Sequence, residues 1–328
     1  MKISIAMCTF NGARFLNEQC ASFRRQTRLP DELVICDDQS TDETQAILEA
    51  FAVEAPFPVR LRVNQYRLGT SRNFSRAIGL CNGDLIFLSD QDDVWREDKL
   101  LRFEKAFDDS PATGLIFCDA LLIDEETEPT GKHLWESVKF NSEVRKKFAA
   151  GHQFQTLLKR NYITGTTMAF RQGFSDLVCP VPVTMRIVHD SWIGLLMSLV
   201  SRIEFIDDTL VMYRIHAGQQ VGLMRGRSSV MPSSNQYDED DEELSFPLLL
   251  HKILSANETL LGSPELESFS EKIDHHCIRA RMVKKTDNLY SRLELVIAVF
   301  NELVHGRYHR YSSGFLSAAR DMKEILGR

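Results

Sequence analysis

The chain has 328 residues, 43% hydrophobic and 26% charged, a globular composition with room for one large or two modest domains. Its formal net charge of −7 argues against general nucleic-acid binding, which needs basic surface to neutralise phosphate, but it is compatible with a nucleotide bridged to carboxylates by a divalent cation. The seven cysteines are scattered, odd in number and free of any C-x-x-C pair, so no disulfide framework or zinc site is expected and a reducing cytoplasm is the simplest setting.

In chain order, ISIAM (3–7), LVIC (33–36), VRLRV (59–63), LIFL (85–88) and GLIFC (114–118) read as strands. Residues 13–26, 41–54, 71–81 and 97–108 read as helices between them. Ser40 with Glu43 three residues on has the form of a capping box at the second helix. Alternation at this interval predicts β-α-β units, right-handed crossovers and a mostly parallel sheet flanked by helices. The apolar start, Ile3 to Met7, is too short for a signal-peptide core, and nowhere do 18 apolar residues run together.

That layout puts four polar clusters at the carboxyl ends of strands, where open α/β sheets bind ligands: Thr9 to Asn11, Asp37 with Asp38, Asn64, and Asp90 to Asp93. Three carboxylates within FLSDQDDVW repel one another unless a cation joins them. If the chain stays extended there, Asp90 and Asp92 fall on one side and offer hard oxygen ligands to Mg2+ or Mn2+, with a substrate diphosphate completing the shell.

CTFNGARFL, SFRRQTRLPDELVICDDQSTDET and NQYRLGTSRNFSRAIGLCNGDLIFLSDQDDVWREDKL, followed by VHDSW and YRIHAGQQVG, resemble the family 2 glycosyltransferases of the GT-A fold. The likeness covers about residues 3–222 and is similar in form to bacterial rhamnosyltransferases. It implies a catalytic domain over 1–224, with a nucleotide-sugar part to about 120 and an acceptor part beyond. It also implies that Cys8, Thr9, Phe10 and Asn11 line the nucleotide site, with Phe10 packing on a pyrimidine and Asp38 accepting from its N3–H. Asn64 and Arg72 would contact base or phosphates, although Arg72 also fits a solvated helix position. Asp90 would hold ribose or a metal-bound water, Asp92 would ligate the metal, and His216 would complete the shell or be structural. Asp190 would be the general base, or else only the N-cap of the helix it opens. His189 would be its polar neighbour. Trp192 would stack on acceptor sugar or sit in the core, and Arg214 would offset diphosphate charge.

The implied reaction is inverting transfer from a UDP- or dTDP-sugar, dTDP-rhamnose among the candidates, to a saccharide or lipid-linked saccharide acceptor in cell-surface polysaccharide or lipopolysaccharide synthesis. Two other readings stay open: a sugar-phosphate nucleotidyltransferase, which would want a Gly-rich phosphate loop near the first strand, and a non-catalytic nucleotide-binding or receiver module, which ICDDQS brings to mind but which would not explain Asp190.

Beyond the catalytic part, 225–245 is polar, with six consecutive acids from Asp238 to Glu243, and reads as a flexible linker. Residues 246–258, 264–285, 286–305 and 309–326 have helical periodicity and form the expected C-terminal subdomain, 246–328. From Lys272 to Arg328 there are 11 Lys plus Arg against 6 Asp plus Glu, so these helices could either pack on the catalytic part or rest peripherally on anionic lipid at the inner face of a membrane.

Overall fold

The structure, a computed structural model, describes residues 1–182, 188–219, 253, 257–281, 289–311 and 315–326. The expected acidic linker and most of the expected helix 246–258 lie outside the described residues. The N-terminal part alternates strand and helix: β1 (Ile3–Thr9), α1 (Ala13–Arg24), β2 (Glu32–Asp37), α2 (Thr44–Glu54), β3 (Val59–Val63), α3 (Thr70–Gly79), β4 (Leu85–Ser89), β5 (Val94–Trp95) and α4 (Lys99–Asp109). There follow β6 (Thr113–Ile123), β7 (Pro129–His133), α5 (Leu134–Val138), α6 (Ser142–Ala149), α7 (Gln153–Lys159), a 3-10 turn at Gly165–Thr167, β8 (Met168–Arg171), α8 (Ser175–Val178), α9 (His189–Val200) and β9 (Arg202–Arg214).

These strands make one sheet in the order β3-β2-β1-β4-β8-β6-β9-β5, with β7 on β6. β3, β2, β1 and β4 are parallel neighbours, as are β6 and β9. The sheet is mixed nevertheless. β8 runs antiparallel between β4 and β6, so the strand expected to follow β4 directly is held one place away from it. The one sheet therefore runs through both the nucleotide part and the acceptor part that the sequence delimits.

Strand residues alternate between two cores. Ile3, Ile5 and Met7 of β1 pack with Phe23, Phe51 and Phe103 from α1, α2 and α4. Ala6 and Cys8 face the opposite side, with Phe74 and Ile78 of α3 and Leu196 of α9. A sheet covered on both faces buries every side chain of a central strand, which is why β1 and β4 read as unbroken apolar runs.

The helices Pro264–Arg281, Leu289–Val304, Arg307–Tyr311 and Phe315–Leu326 follow. Phe269 and Ile273 of the first join the core beneath α9, so this helix packs on the catalytic part. Val299, Tyr308, Ala318 and Ile325 form a small separate core among the helices.

The capping box is absent. Residues 41–43 precede α2, whose N-terminus has no side-chain cap, and the Ser40 hydroxyl instead accepts from the Asn11 amide at 2.9 Å. Gln39 turns the chain with φ of 60°, and the Ser40 amide donates to Asp37, which directs Ser40 across to the β1 loop.

Candidate active site

The site lies at the carboxyl ends of β1, β2 and β4, joined there by the start of α9 and the end of β9. Four carboxylates meet in it. Asp90 and Asp92 follow β4, and Asp93 precedes β5 with no exposure at all. Asp190 occupies the first turn of α9, two residues after the N-cap Val188. Tyr213 on β9 reports their convergence: burial, and then Asp93, Asp90, Asp92 and Asp190, drive its hydroxyl far above the usual phenol value.

Burial pushes the Asp90 carboxyl well up, and Asp93, Asp92 and Asp190 add to the shift. Asp93 rises to about 7 through burial and the charge of Asp92, against the Arg214 amide that donates to its Oδ1 at 3.0 Å. Burial raises Asp190 to about 6, although the Ser191 and Gly165 amides hydrogen-bond to it and lower the value in part. Asn161 Nδ2 also donates to Asp190 Oδ1 at 3.2 Å.

The chain does not remain extended through 90–93 as the sequence reading assumed. It bends at Gln91 and Asp92, so Asp92 and Asp93 turn to different partners. Asp92 Oδ2 lies 2.8 Å from His216 Nε2, whose ring also packs on Phe15 at 4.7 Å. Asp93 turns inward, leaving its Oδ2 buried without a hydrogen-bond partner. Among the described residues no three His, Cys, Asp or Glu side chains converge closely enough to hold a metal unaided. The fit is to a cation that needs further ligands: a hard carboxylate and an imidazole side by side at the edge, with an orphaned carboxylate oxygen behind. Mg2+ and Mn2+ suit such a set and take their remaining ligands from water and substrate phosphates.

Two of the expected site residues belong to the framework. The Arg214 side chain has no exposure; it donates to Glu18 at 2.7 Å, to the Asp92 carbonyl at 2.8 Å and to Thr127 at 2.8 Å, and its guanidinium lies over Phe15. With its donors so committed it braces the Asp92 loop and is not available to a diphosphate. Trp192 is fully buried, its indole N–H donating to the Val178 carbonyl at 3.0 Å, so neither ring face is open to an acceptor sugar.

The residues expected on the nucleotide side fall together as well. Cys8 is buried, and that burial, followed by Cys36, Asp90 and Asp38, raises its thiol well above the usual value. Thr9 donates to Asp37 at 3.3 Å, and Asn11 holds the turn after β1 by accepting from the Thr41 amide at 2.8 Å. Asp38 accepts from Asn64 Nδ2 at 2.8 Å and from the amides of Leu68 and Gly69 at 2.6 and 2.8 Å. Phe10 is half-buried beside it, and Arg72 is half-buried in the first turn of α3.

Sequence reasoning missed three residues. Gln91 pins the Phe10 backbone in both directions, accepting from its amide at 2.8 Å and donating to its carbonyl at 3.1 Å. Lys99 is fully buried behind the acids, 3.2 Å from the Trp95 ring centroid and 2.6 Å from the Thr166 carbonyl; burial lowers its ammonium to about 7. Its place four residues before Phe103, on the buried side of α4, was the available signal. Tyr213, at the end of a strand-like run, carried none.

Residues 4–177 match glycosyl transferase family 2. The chain belongs to that family. Membership sets aside the nucleotidyltransferase and receiver readings. Among the relatives of this glycosyltransferase is an uncharacterized glycosyltransferase of Nostoc, 27% identical over 66% of this chain and 65% of its own length. A dTDP-rhamnosyl transferase of Shigella flexneri is 38% identical over 29% of this chain and 34% of its own length. The chain thus spans somewhat less than two thirds of the first of these relatives. Among solved structures, Staphylococcus aureus TarS 1-349 with UDP-GlcNAc superposes with a TM-score of 0.55 at 17% identity, covering 92% of this chain and 81% of that one. A mannosyltransferase from Pyrobaculum calidifontis with GDP-Man and Mn2+ gives 0.52 at 15% identity, covering 100% and 88%. These likenesses carry the GT-A-like fold.

Proposed function

We propose that this glycosyltransferase transfers a sugar, with inversion, from a UDP- or dTDP-sugar to a saccharide acceptor in cell-surface polysaccharide or lipopolysaccharide assembly. The observation that carries the reading is the meeting of Asp190 with Asp90, Asp92 and Asp93, a hundred residues apart in sequence, beside Tyr213 at the end of β9. Inverting transfer needs a base for the acceptor hydroxyl and a charge sink for the leaving diphosphate, and no enzyme nucleophile. Asp190, at about 6, is ionised near neutral pH yet basic enough to take a proton. Asp92 and His216 would hold the divalent cation, and that cation, when bound, supplies the neutralising charge. Phe10 offers a ring face to a pyrimidine, and Asp38 has acceptor capacity for an N3–H. The names of relatives and neighbours support the donor class: dTDP-rhamnose chemistry in one, bound UDP-GlcNAc in another.

Calorimetry with UDP, dTDP and CDP, with and without Mn2+, tests the donor assignment. UDP and dTDP should bind more tightly than CDP, whose N3 is an acceptor facing Asp38, by roughly 5- to 150-fold. Equal affinity for CDP would remove the assignment.

A lipid-linked acceptor is supported from the other end of the chain. The helix Leu289–Val304 exposes Ile297, Phe300 and Val304 at helical spacing, in the same basic segment noted in the sequence. An apolar stripe within a cationic region suits an anionic bilayer surface.

A further inference from the structure

The proposed base site is already filled by a residue of the chain itself. The Arg67 guanidinium carbon lies 3.5 Å from the centroid of the Phe10 ring, and its Nε is 4.0 Å from Asp38 Oδ2. A guanidinium is flat, delocalised and rich in N–H donors. A pyrimidine with an N3–H is likewise flat and presents a donor to the same carboxylate. We propose that Arg67 is an internal stand-in for the nucleobase, occupying Phe10 and facing Asp38 until the donor's base displaces it. The proposal rests on the donor reading above.

The surroundings are built for the side chain, and not the loop, to move. Asn64 is tied down by its amide to Asp37 at 2.9 Å and by its side chain to Asp38 and Asn73. On the other side, the Leu68 and Gly69 amides are both bonded to Asp38. The backbone is thus anchored on either side of Arg67, while its side chain remains 45% exposed. Phe10 cannot withdraw, because Gln91 holds its amide and its carbonyl. Exchange therefore requires only rotation of one exposed side chain into solvent.

Two consequences follow for the ligand. Displacement reduces apparent affinity by the fraction of molecules in which the pocket is closed. The cost falls equally on every base, so it lowers affinity without altering the preference for a base with an N–H donor.

The test is titration of uridine, and separately of UDP with Mn2+, into the wild type, Arg67→Ala and Arg67→Gln. Uridine carries no phosphate, so losing a positive charge near the site does not by itself weaken it. Emptying the pocket should tighten uridine roughly 2- to 5-fold in Arg67→Ala, the scale of one exposed cation-π contact, with Arg67→Gln between it and wild type. Thermal melts of both variants should fall only about 1 to 3 °C below wild type, the loss of that one exposed contact. Uridine bound equally or more weakly by Arg67→Ala would overturn the proposal and make Arg67 a contact of the bound base or a bystander. Failure of the wild type to bind UDP would overturn the donor reading, and this inference with it.

Discussion

Asp190 gains its basicity from position. A carboxyl ordinarily near 3.8 is carried to about 6 by burial, so its protonated form is favoured in the fold and its ionised form is the one that can act as base. Transfer should accordingly be present above about pH 6 and be lost as pH falls through that value, while the folding cost of ionising the group grows in the opposite sense, as pH rises from 3.8 towards 6. A pH-rate profile with no acid limb near 6 would count against the assignment. Asp190→Asn should lower turnover by about 10^2- to 10^4-fold and leave UDP binding with Mn2+ intact, and the product should have the inverted anomeric configuration. The N-cap is Val188, so the substitution touches no capping bond. Asp92 makes a contrasting case. Its charge is among those raising Asp90 and Asp93, so Asp92→Asn should keep or raise the melting temperature while abolishing the Mn2+-dependent part of donor binding. Donor calorimetry beside a thermal melt reads both, and undiminished Mn2+ dependence would sink the ligand role.

At the scale of elements, the 3-10 turn Gly165–Thr167 connects the two halves of the site. The Gly165 amide reaches Asp190, the Thr166 carbonyl accepts from Lys99, and the Thr166 hydroxyl accepts from the Trp95 indole at 3.3 Å and bonds to Asp93. A Cβ on Gly165 would stand 2.7 Å from His189 Nε2, and His189 is buried and stacked on Phe74 at 4.0 Å, with no room to yield. Gly165→Ala should therefore displace the start of α9 and reduce turnover more than donor affinity; a split the other way, KM rising with kcat unchanged, would deny the turn this role. Nothing in the sequence flagged this turn. β1, β2 and β4 were legible because apolar runs under two covering layers leave no other reading, and the acids after them were legible because strand ends at one sheet edge share a crevice. The bend at Gln91, the inward turn of Asp93 and the diversion of Ser40 from capping were not, since each depends on a partner from a distant segment. β8 escaped notice because four residues, MAFR, carry too little periodicity to announce a strand.

Over the whole molecule, charge is divided unequally: −7 in total, yet net positive over the last 57 residues. No described helix is long and apolar enough to cross a membrane. If the C-terminal helices rest on a bilayer, the protein should co-sediment with anionic phosphatidylglycerol vesicles, less with neutral phosphatidylcholine, and detach as salt shortens the screening length. Phe300→Glu should weaken that association, and equal sedimentation with both vesicles would deny it. The place of β8 matters during synthesis too. β4 and β6 are both formed from residues before 124, but the strand that closes the gap between them ends at Arg171. Once β6 has left the exit tunnel, the facing edges of β4 and β6 stay unpaired until β8 follows, about fifty codons later. A chain truncated in that interval would carry Asp38 and Asp90 to Asp93 on a sheet with bare edges, the condition under which strands add to one another and aggregate.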